Sequence, residues 1–201
     1  MIESMGERIQ FQPLTREDRI SVVLYRAGIA ISALLVTLGG YMLLNAAHYR
    51  NDPLIGLKFT VLLLSLYISV GMSVFFIHLY VSKFHRVLKK LYYIALAGLG
   101  LLFFIGGGNI YAVFAAKPYA SLALLPLSGC LGFITAKEAF CFKLIEGYLL
   151  AFLMPLFLVY TALTGGVPYG TLVIGLLLLL FTVRKVFQPL HFDIGDKSAY
   201  M

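Results

Sequence analysis

From Gly56 to Lys90 the chain reads GLKFTVLLLSLYISVGMSVFFIHLYVSKFHRVLKK, an almost uninterrupted apolar run that ends in a basic cluster. Its apolar part is long enough to cross the hydrocarbon core of a bilayer, which takes about 20 helical residues. Runs of similar composition precede and follow it, and the six predicted spans are Ala27 to Ala46, Gly56 to Val81, Leu91 to Ala115, Tyr119 to Ala136, Leu144 to Thr164 and Pro168 to Val183. The sequence therefore predicts an all-α, polytopic membrane protein whose six transmembrane helices form one bundle.

Basic residues occupy every second gap between these runs. Of the sixteen Lys and Arg, thirteen precede the first run or follow the second, fourth and sixth, and the other gaps hold only Arg50, Lys58 and Lys117. Positive residues that flank spans stay on the cytoplasmic side. Both termini are therefore expected to be cytoplasmic, or stromal in a plastid. A basic loop at the membrane surface is predicted after the second run, with Lys83, Arg86, Lys89 and Lys90.

The same pattern divides the chain into three parts. Residues 1–26 are expected to form a polar arm and an interfacial helix, residues 27–187 the transmembrane domain, and residues 188–201 a short cytoplasmic tail. Thr15 is expected to cap the first helix, with Asp18 three residues later completing the cap. The expected partners are the lipid bilayer and other membrane proteins. The net charge of +7 does not indicate nucleic-acid binding, because the basic residues flank spans and would meet anionic lipid headgroups there.

Small residues and prolines predict how the helices pack. Small residues recur about every fourth position in two spans, and they predict protein contacts at Ser65, Ser69, Ser73, Ser128, Gly132 and Ala136. The apolar run Leu176 to Phe181 covers every face of the last helix, which predicts a lipid-surrounded position. The break Gly106 to Asn109 is expected to end the third span early and leave a short interfacial piece.

Pro126 and Pro155 fall near the middle of the fourth and fifth predicted spans. Each removes a helical hydrogen bond and is expected to kink its helix. Unwound helix near the bilayer centre binds substrate in many transporters, so the kinks could serve gating. The alternative is that they only shape the packing.

The link between the fourth and fifth spans concentrates ionisable groups, and the candidate functional residues are Lys137, Glu138, Cys141 and Glu146. Glu138 could pair with the basic loop after the second span, and Glu146 with Lys143 one turn away. Glu138, Cys141 and Glu146, with or without His78, could form a metal or proton-handling cluster. The alternative is an ion-paired turn that fixes the two helices. The spacing contains no paired-cysteine or paired-histidine motif, so no metal site is predicted. His78 alone is expected to be a hydrogen-bonding residue at a helix interface.

The sequence argues against a catalytic site. The segment Pro126-Leu127-Ser128-Gly129 partly matches the nucleophile turn of rhomboid-like intramembrane proteases, but the last span contains no histidine that could activate Ser128. Cys130 and Cys141 are eleven residues apart, about 16 Å along a helix, which is too far for a disulfide, so both are expected to be free thiols. The pattern identifies no cofactor.

The segment Gly132 to Phe142, GFITAKEAFCF, followed by Glu146-Gly147 and a span that contains proline, resembles the central motif of an uncharacterised integral-membrane family of cyanobacteria and chloroplasts, the domain of unknown function 2301 type. The resemblance implies a photosynthetic source, in a thylakoid or plasma membrane. The resemblance implies no particular activity and identifies no catalytic residue. The resemblance implies that the four candidate functional residues of the link are the positions that define the family.

Three functions are consistent with this pattern. The leading hypothesis is a non-enzymatic scaffold or assembly factor for a larger membrane complex, which the resemblance suggests could be photosynthetic. The first alternative is a small transporter or channel that uses the breaks at Pro126 and Pro155. The second is a metal-dependent membrane enzyme centred on Glu138 and Cys141.

Overall fold

The computed structural model of the protein describes residues 15–49, 52–79, 82–167 and 169–194. Within these ranges all regular structure is helical, which confirms the all-α prediction. The elements are α1 (Arg16–Leu44), α2 (Ala46–Tyr49), α3 (Ile55–Phe76), α4 (Ser82–Gly106), α5 (Ile110–Ala116), the 3₁₀ helix η1 (Pro118–Leu124), α6 (Leu125–Phe142), α7 (Ile145–Thr164), α8 (Gly170–Val186) and α9 (His191–Ile194).

Five helical segments among the described residues are long and apolar enough to cross a membrane. They are Arg16–Leu44, Ile55–Phe76, Ser82–Gly106, Pro118–Phe142 and Ile145–Thr164. Helix α8 has 17 residues, about 25 Å at 1.5 Å per residue, which is less than the ~30 Å of a typical hydrocarbon core. A sixth crossing, and the placement of both termini on the cytoplasmic side, therefore stay predictions.

Helix α1 begins with the predicted capping box. The Thr15 hydroxyl accepts a hydrogen bond from the backbone N–H of Asp18 at 3.2 Å, and the Asp18 carboxylate accepts one from the N–H of Thr15 at 2.9 Å. The helix then continues without interruption for 29 residues. The segment predicted as an interfacial helix and the first predicted span thus belong to one continuous helix.

The long helices form a ring in which α1 is packed between α3 and α8. Glycines allow the close approach on both sides. A Cβ atom added at Gly28 would lie 2.6 Å from the carbonyl oxygen of Ser69, and one added at Gly40 would lie 2.4 Å from the backbone nitrogen of Leu172. The hydroxyls of Ser32 and Ser69 are 2.8 Å apart across the α1–α3 contact. The predicted protein contacts are confirmed at Ser69 and at Ser73, whose hydroxyl donates to the carbonyl oxygen of Tyr25 at 3.2 Å.

The prediction that lipid surrounds the last helix is wrong. Leu178 and Phe181 of α8 are fully buried, whereas Leu176 and Leu180 are about half exposed. Helix α8 therefore presents one face to the bundle and one face outward. An unbroken apolar run looks the same on every side, so its sequence alone does not distinguish these faces.

The two prolines occupy different positions in their helices. Pro126 is the second residue of α6, directly after η1, where its missing N–H would have no helical partner in any case. The expected kink inside a helix is therefore wrong for Pro126. Pro155 does lie inside α7. The break after the third span is present, since α4 ends at Gly106 and α5 begins at Ile110.

The tight contact of α1 with α8 gives a first testable prediction. A Cβ at Gly175 would lie 2.6 Å from the Cα atom of Thr37, so Gly175→Leu should push the two helices apart and cost about 1–3 kcal/mol. Thermal unfolding in mild detergent measures the effect. Gly100→Leu is the control, because no atom lies within 4 Å of a Cβ there. Equal melting temperatures for the two variants would contradict the packing described.

Candidate functional site

One end of the bundle holds a buried group of polar side chains, here called the charge cluster. It consists of Tyr25 and Arg26 of α1, Lys137 and Glu138 of α6, Lys185 of α8 and Asp193 of α9. The end of the bundle that contains the charge cluster is called the charged end. The helices bring together residues that lie up to 167 positions apart in the sequence.

Glu138 lies at the centre of the charge cluster and is completely buried. Its Oε1 atom accepts hydrogen bonds from the Tyr25 hydroxyl at 2.7 Å and from Lys137 Nζ at 2.8 Å. Its Oε2 atom forms an ion pair with Lys185 Nζ. Both carboxylate oxygens therefore contact a positive charge, which a buried carboxylate requires.

Lys185 connects the two carboxylates of the charge cluster. Its ammonium forms ion pairs with Glu138 and with Asp193 Oδ1, and it donates to the side-chain oxygen of Gln188 at 3.2 Å. The same nitrogen lies 4.3 Å from the centre of the Phe142 ring, a favourable cation–π distance. Lys185 thus links α8 with α6 and α9.

Arg26 fastens the C-terminal segment to α1. Its Nε atom donates to Asp193 Oδ2 at 2.6 Å. Its two terminal nitrogens donate to the carbonyl oxygens of Val186, Gln188 and Pro189 at 3.2, 2.5 and 3.0 Å. The planar guanidinium has five N–H donors in a fixed geometry, which a lysine at this position could not reproduce.

A second ion pair lies beside the charge cluster. Arg184 of α8 donates to both carboxylate oxygens of Glu146 in α7, at 2.9 and 3.1 Å. The Arg184 side chain is 58% exposed, so water weakens this pair relative to the buried ones. The predicted pairing of Glu146 with Lys143 is wrong, because Lys143 has a φ of 54° and ends α6 in the left-handed conformation.

The predicted pairing of Glu138 with the basic loop is also wrong, since the positive partners of Glu138 are Lys137 and Lys185. The loop itself is helical. Helix α4 begins at Ser82, so its first turns contain Lys83, Arg86, Lys89 and Lys90. Their binding to lipid headgroups stays a prediction.

The other predicted site residues are spread over different surroundings. Cys141 is exposed and Cys130 is buried, and both are free thiols as expected. His78 follows the end of α3, and its Nε2 atom is 3.3 Å from the Ser21 hydroxyl of α1. Burial lowers the pKa of His78, with the positive charge of Lys137 adding to the effect. No group of His, Cys, Asp and Glu in the described residues is arranged to hold a metal ion.

Sequence reasoning missed four of the six residues of the charge cluster. Tyr25, Arg26, Lys185 and Asp193 were counted as span flanks or as parts of the termini. A signal was present for Arg26 and Lys185, because each has an apolar residue close by on both sides, and an ionisable residue inside a hydrophobic segment is a functional candidate by default. Nothing in the sequence indicates that Asp193 returns to α1.

Next to the charge cluster, the centre of the bundle is filled by a layer of fully buried apolar side chains, here called the plug. Each of four helices contributes to it, and the plug consists of Ile29 of α1, Ile134 of α6, Leu150 of α7, and Leu178 and Phe181 of α8. Thr135, next to Ile134, is also fully buried. Along α1, α6 and α8 the plug residues lie about one to two helical turns from the members of the charge cluster.

Beyond the plug lies a cavity of about 520 Å³. Its wall begins three to six residues past the plug on the same four helices, at Leu35, Leu131, Met154 and Ile174. It is completed by residues of α3, α5, η1 and the turn between α7 and α8. We call this the cavity end of the bundle. Along its axis the protein therefore contains three layers, namely the charge cluster, the plug and the cavity.

Long apolar helices around a buried charge cluster define the chain as a multi-pass integral membrane protein. Residues 72–201 match the family described as "Uncharacterized integral membrane protein (DUF2301)", and the chain belongs to this family. It is also similar to an "Uncharacterized protein" of Haemophilus influenzae, with 28% identity over 194 residues that cover 94% of each chain. No solved structure matches the chain.

The Haemophilus relative lies outside cyanobacteria and chloroplasts. The comparisons therefore support the family that the motif suggests but not its restriction to photosynthetic organisms. They do not favour a thylakoid over any other membrane.

The bridging position of Lys185 gives a second testable prediction. Lys185→Met should leave Glu138 and Asp193 buried with one positive partner fewer each, at a cost of about 3–5 kcal/mol. Glu138→Gln should also destabilise the protein, because Lys137 and Lys185 lose a partner. The loss in free energy of unfolding should be smaller in the double variant than the sum of the losses in the two single variants, because the contact between Lys185 and Glu138 can be lost only once. Thermal or denaturant unfolding in detergent measures all three.

Glu146→Gln is the matched control for this cycle, because its partner Arg184 is largely exposed and can be hydrated instead. It should cost clearly less than Glu138→Gln. Additive effects in the double variant would show that Lys185 and Glu138 do not interact as described.

Proposed function

We propose that this protein is a non-enzymatic membrane carrier for a small molecule, with its cavity end open and its charged end closed. The observation that supports the proposal is the order of the three layers along the bundle. A carrier with alternating access needs a central binding space that is closed on one side at a time. The cavity provides the space, while the plug and the charge cluster close one side.

Helix α7 contains a feature that suits such a closure. Pro155 cannot donate a hydrogen bond, so the carbonyl oxygen of Ala151 lacks its usual helical partner. This position lies between Leu150 of the plug and Met154 of the cavity wall. A Cβ at Gly132 of α6 would be 3.3 Å from the same carbonyl oxygen, so the two helices approach closely there. Pro155 is therefore placed to act as a hinge between the two layers.

The charge cluster suits the role of a gate. Its ion pairs connect α1, α6, α8 and α9, so they can separate only if these helices move apart at the charged end. Paired charges in a buried site also tend to adopt discrete arrangements rather than intermediate ones, because an unpaired charge there is costly. The distribution of Lys and Arg predicts that this gate faces the cytoplasm.

Cysteine labelling tests the carrier function without knowledge of the cargo. In a Cys130→Ala, Cys141→Ser background, Thr171→Cys reports on the cavity wall and Thr135→Cys on the plug layer. With an intact charge cluster, a small membrane-impermeant thiol reagent should label Thr171→Cys from the cavity end and should leave Thr135→Cys unlabelled. Adding Glu138→Gln should open the charged end, so that Thr135→Cys becomes labelled from that side.

The deciding result is reciprocity. Alternating access requires labelling of Thr171→Cys from the cavity end to fall several-fold as labelling of Thr135→Cys rises. If both positions become more reactive, the variant has only loosened the bundle and the carrier function is wrong. If Thr135→Cys stays unlabelled in every variant that elutes as a single species from size exclusion, the function is also wrong.

A second candidate function is a scaffold or assembly factor for a larger membrane complex, photosynthetic or not. It is favoured by the facing ends of α6 and α7 around the charged Lys143, where Phe140 of α6 is 80% exposed and Ile145 of α7 is 72% exposed. Large apolar side chains beside a charged turn at the bundle end could contact a partner protein. A metal-dependent enzyme is not carried forward, because Glu138 is already paired with Tyr25, Lys137 and Lys185 and Cys141 is exposed.

Native gels of mildly solubilised membranes test the scaffold. The protein should comigrate with partner proteins, and Phe140→Ser combined with Ile145→Ser should release it. Phe104→Ser is the control, because Phe104 is 87% exposed in α4 toward the cavity end. Migration as a free protein in all samples, or equal release by the control, would contradict a scaffold that binds through this turn.

A further inference from the structure

We infer that the cavity binds an uncharged molecule made of a hydrocarbon chain with one small polar group, such as a hydroxyl or a carbonyl. This inference rests on the proposed function, in which the cavity holds the cargo, and it names the chemical class of that cargo. It is carried by the chemistry of the cavity wall, by the volume of the cavity and by the position of one unpartnered hydroxyl.

The wall excludes charged ligands. None of the described residues that line the cavity is acidic, basic or a histidine. The charge cluster is too far away to compensate, because Leu131 of the wall and Glu138 are seven residues apart on α6, about 10 Å, with the plug between them. An ion in the cavity would lose its hydration without gaining a partner. The ligand is therefore neutral.

The wall and volume suit a hydrocarbon chain. Leucines from several helices form much of the surface, together with aromatic side chains such as Phe59 and Phe114, whose rings meet edge to face at 5.8 Å. The volume of about 520 Å³ falls within the usual range of small-molecule sites, roughly 300 to 1,000 Å³. The cavity is thus large enough for a single chain and has few polar groups to pair with a sugar or a nucleotide.

Two hydroxyls in the cavity wall can form hydrogen bonds with one small polar group of the ligand. Thr161 lines the cavity, and its hydroxyl is buried without a hydrogen-bond partner in the described part of the chain. Ser121, also in the wall, donates to the carbonyl oxygen of Leu158 at 3.0 Å and can still accept a hydrogen bond. Thr161 lies in the last turn of α7 at the cavity end. The polar group of the ligand would lie there, with its chain directed toward the plug.

The experiment uses a tryptophan reporter, because the chain contains no tryptophan of its own. Phe114→Trp places the reporter in the cavity wall, and the protein is reconstituted into phosphatidylcholine nanodiscs. The probes are a long-chain alcohol and the matching fatty-acid anion, both brominated so that they quench tryptophan fluorescence on contact. The alcohol should quench saturably, and the anion should require at least a tenfold higher concentration. Phe104→Trp, on the exposed face of α4, should show only unsaturable quenching by both probes.

Two further variants separate binding in the cavity from partition into lipid. A Cβ at Gly39 would have its nearest neighbour at an ordinary 3.5 Å, so Gly39→Leu can fill the cavity without displacing backbone and should weaken saturable quenching at least tenfold. Gly100→Leu should leave it unchanged. Thr161→Val should weaken binding of the alcohol but not of a brominated alkane of equal length.

Equal saturation by alcohol and anion would overturn the inference of a neutral ligand, and unsaturable quenching by both would overturn the site itself. Reciprocal cysteine labelling without saturable quenching would reject this inference and leave the carrier function standing. Saturable quenching without reciprocal labelling would reject the carrier function and leave a binding protein.

Discussion

Lys185 is almost completely buried, and its ammonium contacts two carboxylates from distant parts of the chain, Glu138 and Asp193. A lysine in such a place is tolerated only if opposite charges surround it, so the helices that carry these charges must meet at this end of the bundle. Arg26 joins the same arrangement through Asp193. The need to pair these buried charges determines which parts of the chain meet at the charged end. The plug lies directly behind them.

The rest of the bundle is held by close packing rather than by charge. Lipid is as apolar as leucine, so apolar side chains gain little by leaving it, and helices associate where small residues let backbones touch. Gly28, Gly40 and Gly175 provide this on the two sides of α1. The bundle therefore combines a charged end that fixes which helices meet with tight glycine contacts that fix how closely they approach. Toward the cavity end the helices leave space between them.

Much of the architecture could be predicted from the sequence, because span length and capping follow local rules. The Thr15 cap, the break after Gly106 and the serine contact at Ser69 all follow from neighbouring residues. The candidate site was found only in part, since pairs such as Lys185 with Glu138 depend on tertiary packing. Glu138 can be selected from the sequence because it is a carboxylate in the predicted cytoplasmic link. Its partner Lys185 cannot, because Lys185 is also one of the basic residues that predict the orientation of the chain in the membrane. The cavity has no sequence signal, because its wall uses the same leucines as a packed core.

The separation of Arg26 from Asp193 has a consequence for biosynthesis. The ribosome makes Arg26 early, whereas its carboxylate partner emerges 167 residues later. During this interval the first helix has to reside in the translocon or the lipid with an unmatched guanidinium, which favours a shallow position where the charge reaches the interface. The first helix can settle to its final depth only once the last part of the chain has arrived.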